Sequence, residues 1–213
     1  MFQRKNATKM DLKKQVVYKF FILLALCFET YNLLDTGYDH VLTDDEYRLS
    51  MGQGYVFFEI TEPEELAFTY KANPASFTPV WNTTLTGVPL VSTDPPCSCG
   101  FINNHDEVEG KIAFIERGEC SFVSKVVRAE AAGAIGVIIT DQDEENDELY
   151  ISMVDDTTSR NVNIPAVFLL GKNGQIIKRW LDRLQLSHAL VNIPVNISRI
   201  QPHKLNQPPW MVW

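Results

Sequence analysis

Lys111-Ile-Ala-Phe-Ile-Glu116-Arg-Gly118-Glu-Cys120-Ser-Phe122-Val-Ser-Lys125-Val-Val-Arg-Ala-Glu130-Ala-Ala-Gly133-Ala-Ile135-Gly-Val-Ile-Ile-Thr140 places two short apolar runs on either side of a segment with helical periodicity. The run from Lys111 to Glu116 has the length and composition of a buried strand, and Arg117-Gly118 is a turn whose glycine can adopt a positive φ. Ser121 can cap a following helix. Phe122, Val126 and Ala129, with Val123 and Val127, form its apolar stripe, and Gly133 supplies the stop. Ile135 to Thr140 reads as a second buried strand. Strand, helix and strand within thirty residues make a crossover unit, which implies a right-handed connection and a parallel strand pair.

Working outward, Asp141 to Glu148 holds six carboxylates in eight residues, a density that predicts a solvated loop. It lacks the glycine and terminal glutamate spacing of a calcium loop. Ile164 to Leu170 is a further buried strand, and Gly174 to Leu184 predicts an amphipathic helix with Ile176, Ile177, Trp180, Leu181 and Leu184 inward. Ala189 to Ile197 reads as the final strand. On the other side, Tyr55 to Ile60 is β-prone, and the proline-punctuated stretch Pro63 to Pro96 predicts turns and short strands.

The amino terminus has the polarity of an export signal. Arg4, Lys5, Lys9, Lys13 and Lys14 precede the apolar run Phe20 to Phe28, and small residues suit a cut after Cys27. An uncleaved anchor is the competing reading, but a span needs roughly 20 apolar residues and would bury Lys19. Residues 1–27 hold six basic side chains and one acidic, so the remainder carries 13 basic against 26 acidic groups. Nucleic acid and anionic membrane surfaces, which attract Lys and Arg, are therefore not the expected partners.

After the cut, Cys97, Cys99 and Cys120 remain in an oxidising compartment. A Cys97–Cys99 bond closes a very tight ring. The expected bond therefore includes Cys120, with Cys99 its preferred partner over Cys97. No second Cys or His pair with ligand spacing accompanies the Cys-x-Cys, so no metal and no cofactor is expected. Asn82-Thr-Thr84 and Asn196-Ile-Ser198 are glycosylation sequons compatible with secretion. The chain has no Gly-x-Ser-x-Gly, His-Glu-x-x-His or phosphate loop, and His40, His105, His188 and His203 stand apart in sequence.

The blocks Ile112-Ala-Phe-Ile-Glu-Arg117-Gly118-Glu-Cys120-Ser-Phe122-Val-Ser-Lys125, Ala131-Ala-Gly133-Ala134, Val137-Ile-Ile139 and Ile164-Pro165-Ala-Val167-Phe, in that order and spacing, resemble the protease-associated (PA) domain family. The resemblance implies an α/β (α+β) fold, a compact β-sandwich or open barrel flanked by helices, and a role in contacting proteins or peptides without chemistry. Cys97 has no counterpart in the family pattern. The expected organisation is a signal peptide over 1–27, an N-terminal extension packing on the domain over 28–84, the PA domain over 85–195 and a tail over 196–213. Arg117 and Lys125 are candidate contacts for an acidic peptide group, with local ion pairs the favoured alternative. Trp210 and Trp213 either pack on the domain or present an anchor to a partner. The expected function is thus a secreted, non-catalytic glycoprotein that binds a protein or peptide. An accessory or cargo-binding factor of the secretory pathway is the alternative, and a cryptic hydrolase comes last.

Overall fold

The computed structural model describes residues 54–198 and 200–211. The expected signal peptide, residues 28–53 of the expected extension, His40 and Trp213 lie outside the described residues. The strands are β1 (Val56–Glu62), β2 (Thr69–Pro74), β3 (Leu85–Ser92), β4 (Ile112–Glu116), β5 (Gly136–Thr140), β6 (Ala166–Leu169) and β7 (His188–Ile193). The helices are α1 (His105–Val108), α2 (Phe122–Ala131) and α3 (Gly171–Leu184). The strands close a barrel in the order β1-β2-β6-β5-β4-β3-β7.

The crossover read from residues 111–140 is present. β4 and β5 pair in parallel from Ile112↔Gly136 to Glu116↔Thr140, and β3 and β6 extend the parallel region on either side. Strands β4, β5 and β6 are buried on both faces, which is why each reads as a continuous apolar run. One face joins a cluster to which all seven strands contribute, including Phe58, Tyr70, Leu90, Ile112, Ile138, Val167 and Val191. That cluster is therefore the barrel interior, and Ile177 and Leu181 of α3 reach into it. The opposite face, with Ala113, Ile115, Val137, Ile139 and Phe168, packs on Val126 and Ala129 of α2, Val108 of α1 and Met153.

Several sequence expectations are corrected. The barrel is closed, neither open nor a sandwich, because β1 pairs antiparallel with β7 as well as with β2. β1 and β2, which precede residue 85, complete this barrel and carry Phe58, Ile60, Tyr70 and Ala72 of its interior. The last strand ends at Ile193, not Ile197, since Pro194 has no N–H to continue the ladder. Helix α3 begins at Gly171 rather than Gly174. Gly174 lies within the helix where it crosses β5, and a Cβ there would sit 1.8 Å from Thr140 Oγ1. The side chain of Phe122 is only partly buried, its ring edge-on to Phe168 with centroids 6.4 Å apart, so Val123, Val126 and Ala129 carry the inward face. The carboxylate-rich segment is solvated except at Asp141 and Asn146, which are buried.

Candidate functional site

The loop between β3 and α1 is pinned to the start of α2. Ser121 caps α2, its Oγ accepting from Ser124 N at 3.1 Å. Gly118, at φ +111, turns the chain out of β4 so that Cys120 faces the loop. Cys120 is disulfide-bonded to Cys99, as preferred from the sequence, with Cα atoms 5.7 Å apart. A ring of about twenty residues closed in this way contributes roughly 3 kcal/mol through the unfolded chain. The loop is also held by its own bonds. Buried Ser98 donates to Thr93 Oγ1 at 2.8 Å, Asn104 Nδ2 donates to Ser92 O at 2.9 Å, and Glu116 N donates to Pro96 O at 2.8 Å.

Lys125 is the centre of this attachment and is not a surface contact, contrary to its candidate role in partner binding. Its side chain is fully buried. Nζ donates to Cys97 O at 2.5 Å and lies 3.4 Å from Cys99 Sγ. Burial lowers the Lys125 pKa, opposed by the charges of Cys97, Glu119 and Glu116. Arg117 takes the local ion pair: Nη1 donates to Asp141 Oδ2 at 3.1 Å, and Asn146 Nδ2 donates to the same oxygen at 3.1 Å. Glu116 pairs with Lys178, joining β4 to α3.

A second polar cluster closes the amino-terminal end of α2. Ser121 Oγ bonds Asp156 Oδ2, and Arg160 Nη2 donates to Asp156 at 2.5 Å and to Ser124 Oγ at 2.8 Å. Hydrogen bonds from Ser121 and Thr158 hold the Asp156 carboxyl well below the usual carboxylate range.

The carboxyl-terminal end of α2 is open. Gly100, Phe101, Ile102, His105, Arg128, Ala131 and Ala132 line a hollow of about 330 Å³. Phe101 is 74% exposed and meets His105 edge-on, with ring centroids 5.5 Å apart. The small side chains of Ala131 and Ala132 leave the space, and Arg128 and His105 set a cationic and a titratable group on its rim. Chemically the hollow suits an apolar side chain accompanied by an acceptor. The sequence reading missed it. The available signal was Gly100-Phe101 directly after a bonded cysteine, an aromatic with no periodic segment to bury it.

The tail folds back. Trp210 Nε1 donates to Asn173 Oδ1 at 2.8 Å, its ring meets Phe68 edge-on at 5.3 Å, and Met211 is buried. For Trp210 this is the packing alternative. Asn82 and Asn196 are exposed, and Ser198 N donates to Asn196 Oδ1 at 3.0 Å. Cys97 Sγ, Cys99 Sγ and a Glu119 carboxylate oxygen lie within 4.8 Å of one another. With Cys99 in a disulfide and the Lys125 ammonium beside it, this set does not suit a cation.

The PA domain profile matches residues 85–177. A PRADC1-like protein of Drosophila melanogaster is 51% identical over 163 residues, covering 75% of this chain and 83% of that protein. The chain belongs to the family of PRADC1-like PA-domain proteins. Other relatives of this PA-domain protein share a smaller part. The ER degradation-enhancing alpha-mannosidase-like protein 3 of Homo sapiens is 36% identical over 92 residues, 41% of this chain but 10% of that one. Among solved structures, a zinc aminopeptidase from Bacillus subtilis matches 65% of this chain and 29% of its own with 20% identity and a TM-score of 0.46. No helix among the described residues is long and apolar enough to cross a membrane.

Proposed function

We propose that this PA-domain protein is a secreted, non-catalytic glycoprotein that binds a protein or peptide partner through the hollow beside Phe101. The observation that carries the reading is an exposed aromatic held on a loop that a disulfide and the buried Lys125 fasten to α2. A pre-ordered aromatic is what binding hot spots use, because little conformational freedom is lost when the partner docks. The partner segment presents an apolar side chain to the hollow and a carboxylate to Arg128. Glycans on Asn82 and Asn196 belong to the same reading, since both side chains are exposed and the chain opens with a basic and then an apolar segment.

The likeness to an ER degradation-enhancing alpha-mannosidase-like protein favours a second setting for the same surface, that of an accessory that captures cargo in the secretory pathway. Replacing Phe101 by a photoreactive residue tests the surface in both settings. A crosslinked partner is expected, and crosslinking no greater than from a photoreactive residue at exposed Leu186 would refute it. Hydrolysis of a peptide or ester library by the purified protein, abolished by changing one Ser or His, would overturn the non-catalytic part.

A further inference from the structure

Val80 is 74% exposed and Ile135 36%, and both line a hollow of about 390 Å³ at the amino-terminal ends of β5 and β6. Trp81, Leu85 and Pro165 complete its apolar wall. The Trp81 ring is fixed by packing: one edge rests on Gly136, where a Cβ would fall 2.3 Å from Cη2, and the side chain also packs against the cluster of the barrel interior. Asn82, the acceptor of the first sequon in the described residues, lines the same hollow. Thr83 Oγ1 donates to Asn82 Oδ1 at 3.2 Å, while Asn82 Nδ2, the atom an oligosaccharide joins, has no hydrogen-bond partner among the described residues. Asn163 faces the hollow as well. Its Nδ2 donates to Glu130 Oε1 at 2.8 Å, which leaves its Oδ1 as an acceptor without a partner among the described residues.

We propose that this hollow is a carbohydrate seat, in which the first sugar of an N-linked glycan on Asn82 packs against Trp81, Val80 and Ile135. The inference rests on the reading of Asn82 as glycosylated and is independent of what the Phe101 surface binds. A pyranose ring has an apolar C–H face and a polar edge, and the hollow offers the matching pair: an aromatic and aliphatic wall for the face, Thr83 and Asn163 for the edge. Its volume lies near the lower end of the ~300 to 1,000 Å³ range of small-ligand sites, which suits one or two sugar rings. The tether decides the occupant. A sugar joined to a residue of the hollow's own wall is present at an effective concentration on the order of millimolar or above, so a contact too weak to retain a free sugar retains this one. Seated there, the sugar covers the apolar surface of Val80 and Ile135 that a protein exported through the secretory pathway would otherwise carry bare.

The test uses the full chain secreted from a eukaryotic host that builds oligomannose glycans. Peptide mass mapping reads the occupancy of Asn82, and an unmodified Asn82 would overturn the glycan reading at this position together with the seat. Wild type and Asn82→Gln are then trimmed with an endoglycosidase that leaves one N-acetylglucosamine on each occupied asparagine, so that the two differ at position 82 alone. The trimmed wild type should melt about 2 to 4 °C above trimmed Asn82→Gln, the shift that one aromatic contact produces in a domain of this size. Val80→Ser, at an exposed position that the fold tolerates, should reduce that difference at least twofold when both chains carry it. With Asn82 occupied, equal melting temperatures of the trimmed pair, or a difference that Val80→Ser leaves unchanged, would overturn the seat and leave the glycan reading standing.

Discussion

Phe101 stands edge-on to His105 with ring centroids 5.5 Å apart, yet 74% of its surface faces solvent. The contact orients the ring without burying it. Phe168 is its opposite: fully buried on β6 and edge-on to Phe122 of α2, it carries the packing of the outer core. Phe168→Ala is therefore expected to cost about 3 to 5 kcal/mol and Phe101→Ala no more than about 0.5 kcal/mol. Phe122→Ala, with its ring half out of the core, falls between them. Denaturant unfolding of the three variants checks the order.

Asp156 gives the fold an acid-sensitive joint. Its carboxyl is held below its ordinary pKa by hydrogen bonds from Ser121 and Thr158, so the folded state favours the charged form more than the unfolded chain does. Such a group stabilises at pH above the ordinary carboxylate pKa of about 4 and loses that contribution as pH falls toward its folded value. Asp156→Asn should lower the melting temperature at pH 7 and flatten its decline below about pH 4. Parallel wild-type and variant curves across that range would count against the joint.

Trp210 ties the tail to α3 and to the turn before β2. Trp210→Ala removes its bond to Asn173 and the Phe68 contact, and should destabilise by roughly 1 to 3 kcal/mol. Trp210→Phe, which keeps the ring contact and loses the N–H, should recover part of that loss. Thermal melts of the two variants separate packing from hydrogen bonding.

Asn82 and Asn196 are expected to carry N-linked glycans when the chain passes through a eukaryotic secretory pathway. Asn82→Gln and Asn196→Gln should each remove one step of gel mobility, and the double variant should run as the enzymatically deglycosylated chain does. Unchanged mobility on amidase treatment of the wild type would refute both.

The parts of the fold legible in the sequence are those whose burial leaves no alternative pattern. Parallel strands covered on both faces gave the continuous runs at 112–116, 136–140 and 166–169. The stretch before residue 85 was obscure because its barrel strands are separated by prolines and short turns. In β3 a register shift between Leu85 and Val88 breaks any alternation. At the site, Lys125 could have been placed by spacing alone, since it lies three residues after Phe122 and four before Ala129, on the stripe that faces inward. The Arg117–Asp141 pair follows from register: Glu116 pairs with Thr140, so the next residues of two adjacent parallel strands meet. Phe101 had no such signal, because a lone aromatic in a loop carries no period and its exposure is set by the tertiary fit of the loop against α2.

The central claim is that Phe101 and its hollow are the surface a partner recognises. The most direct measurement is quantitative capture from secretory-pathway extracts by the wild-type chain, Phe101→Ala and Arg117→Ala, with folding checked for each. Loss of a central aromatic typically costs about 2 kcal/mol or more in binding, roughly thirtyfold in affinity. A partner enriched by the wild type and by Arg117→Ala but depleted to that extent by Phe101→Ala is the predicted result. Equal recovery of every captured protein by Phe101→Ala and the wild type would contradict it.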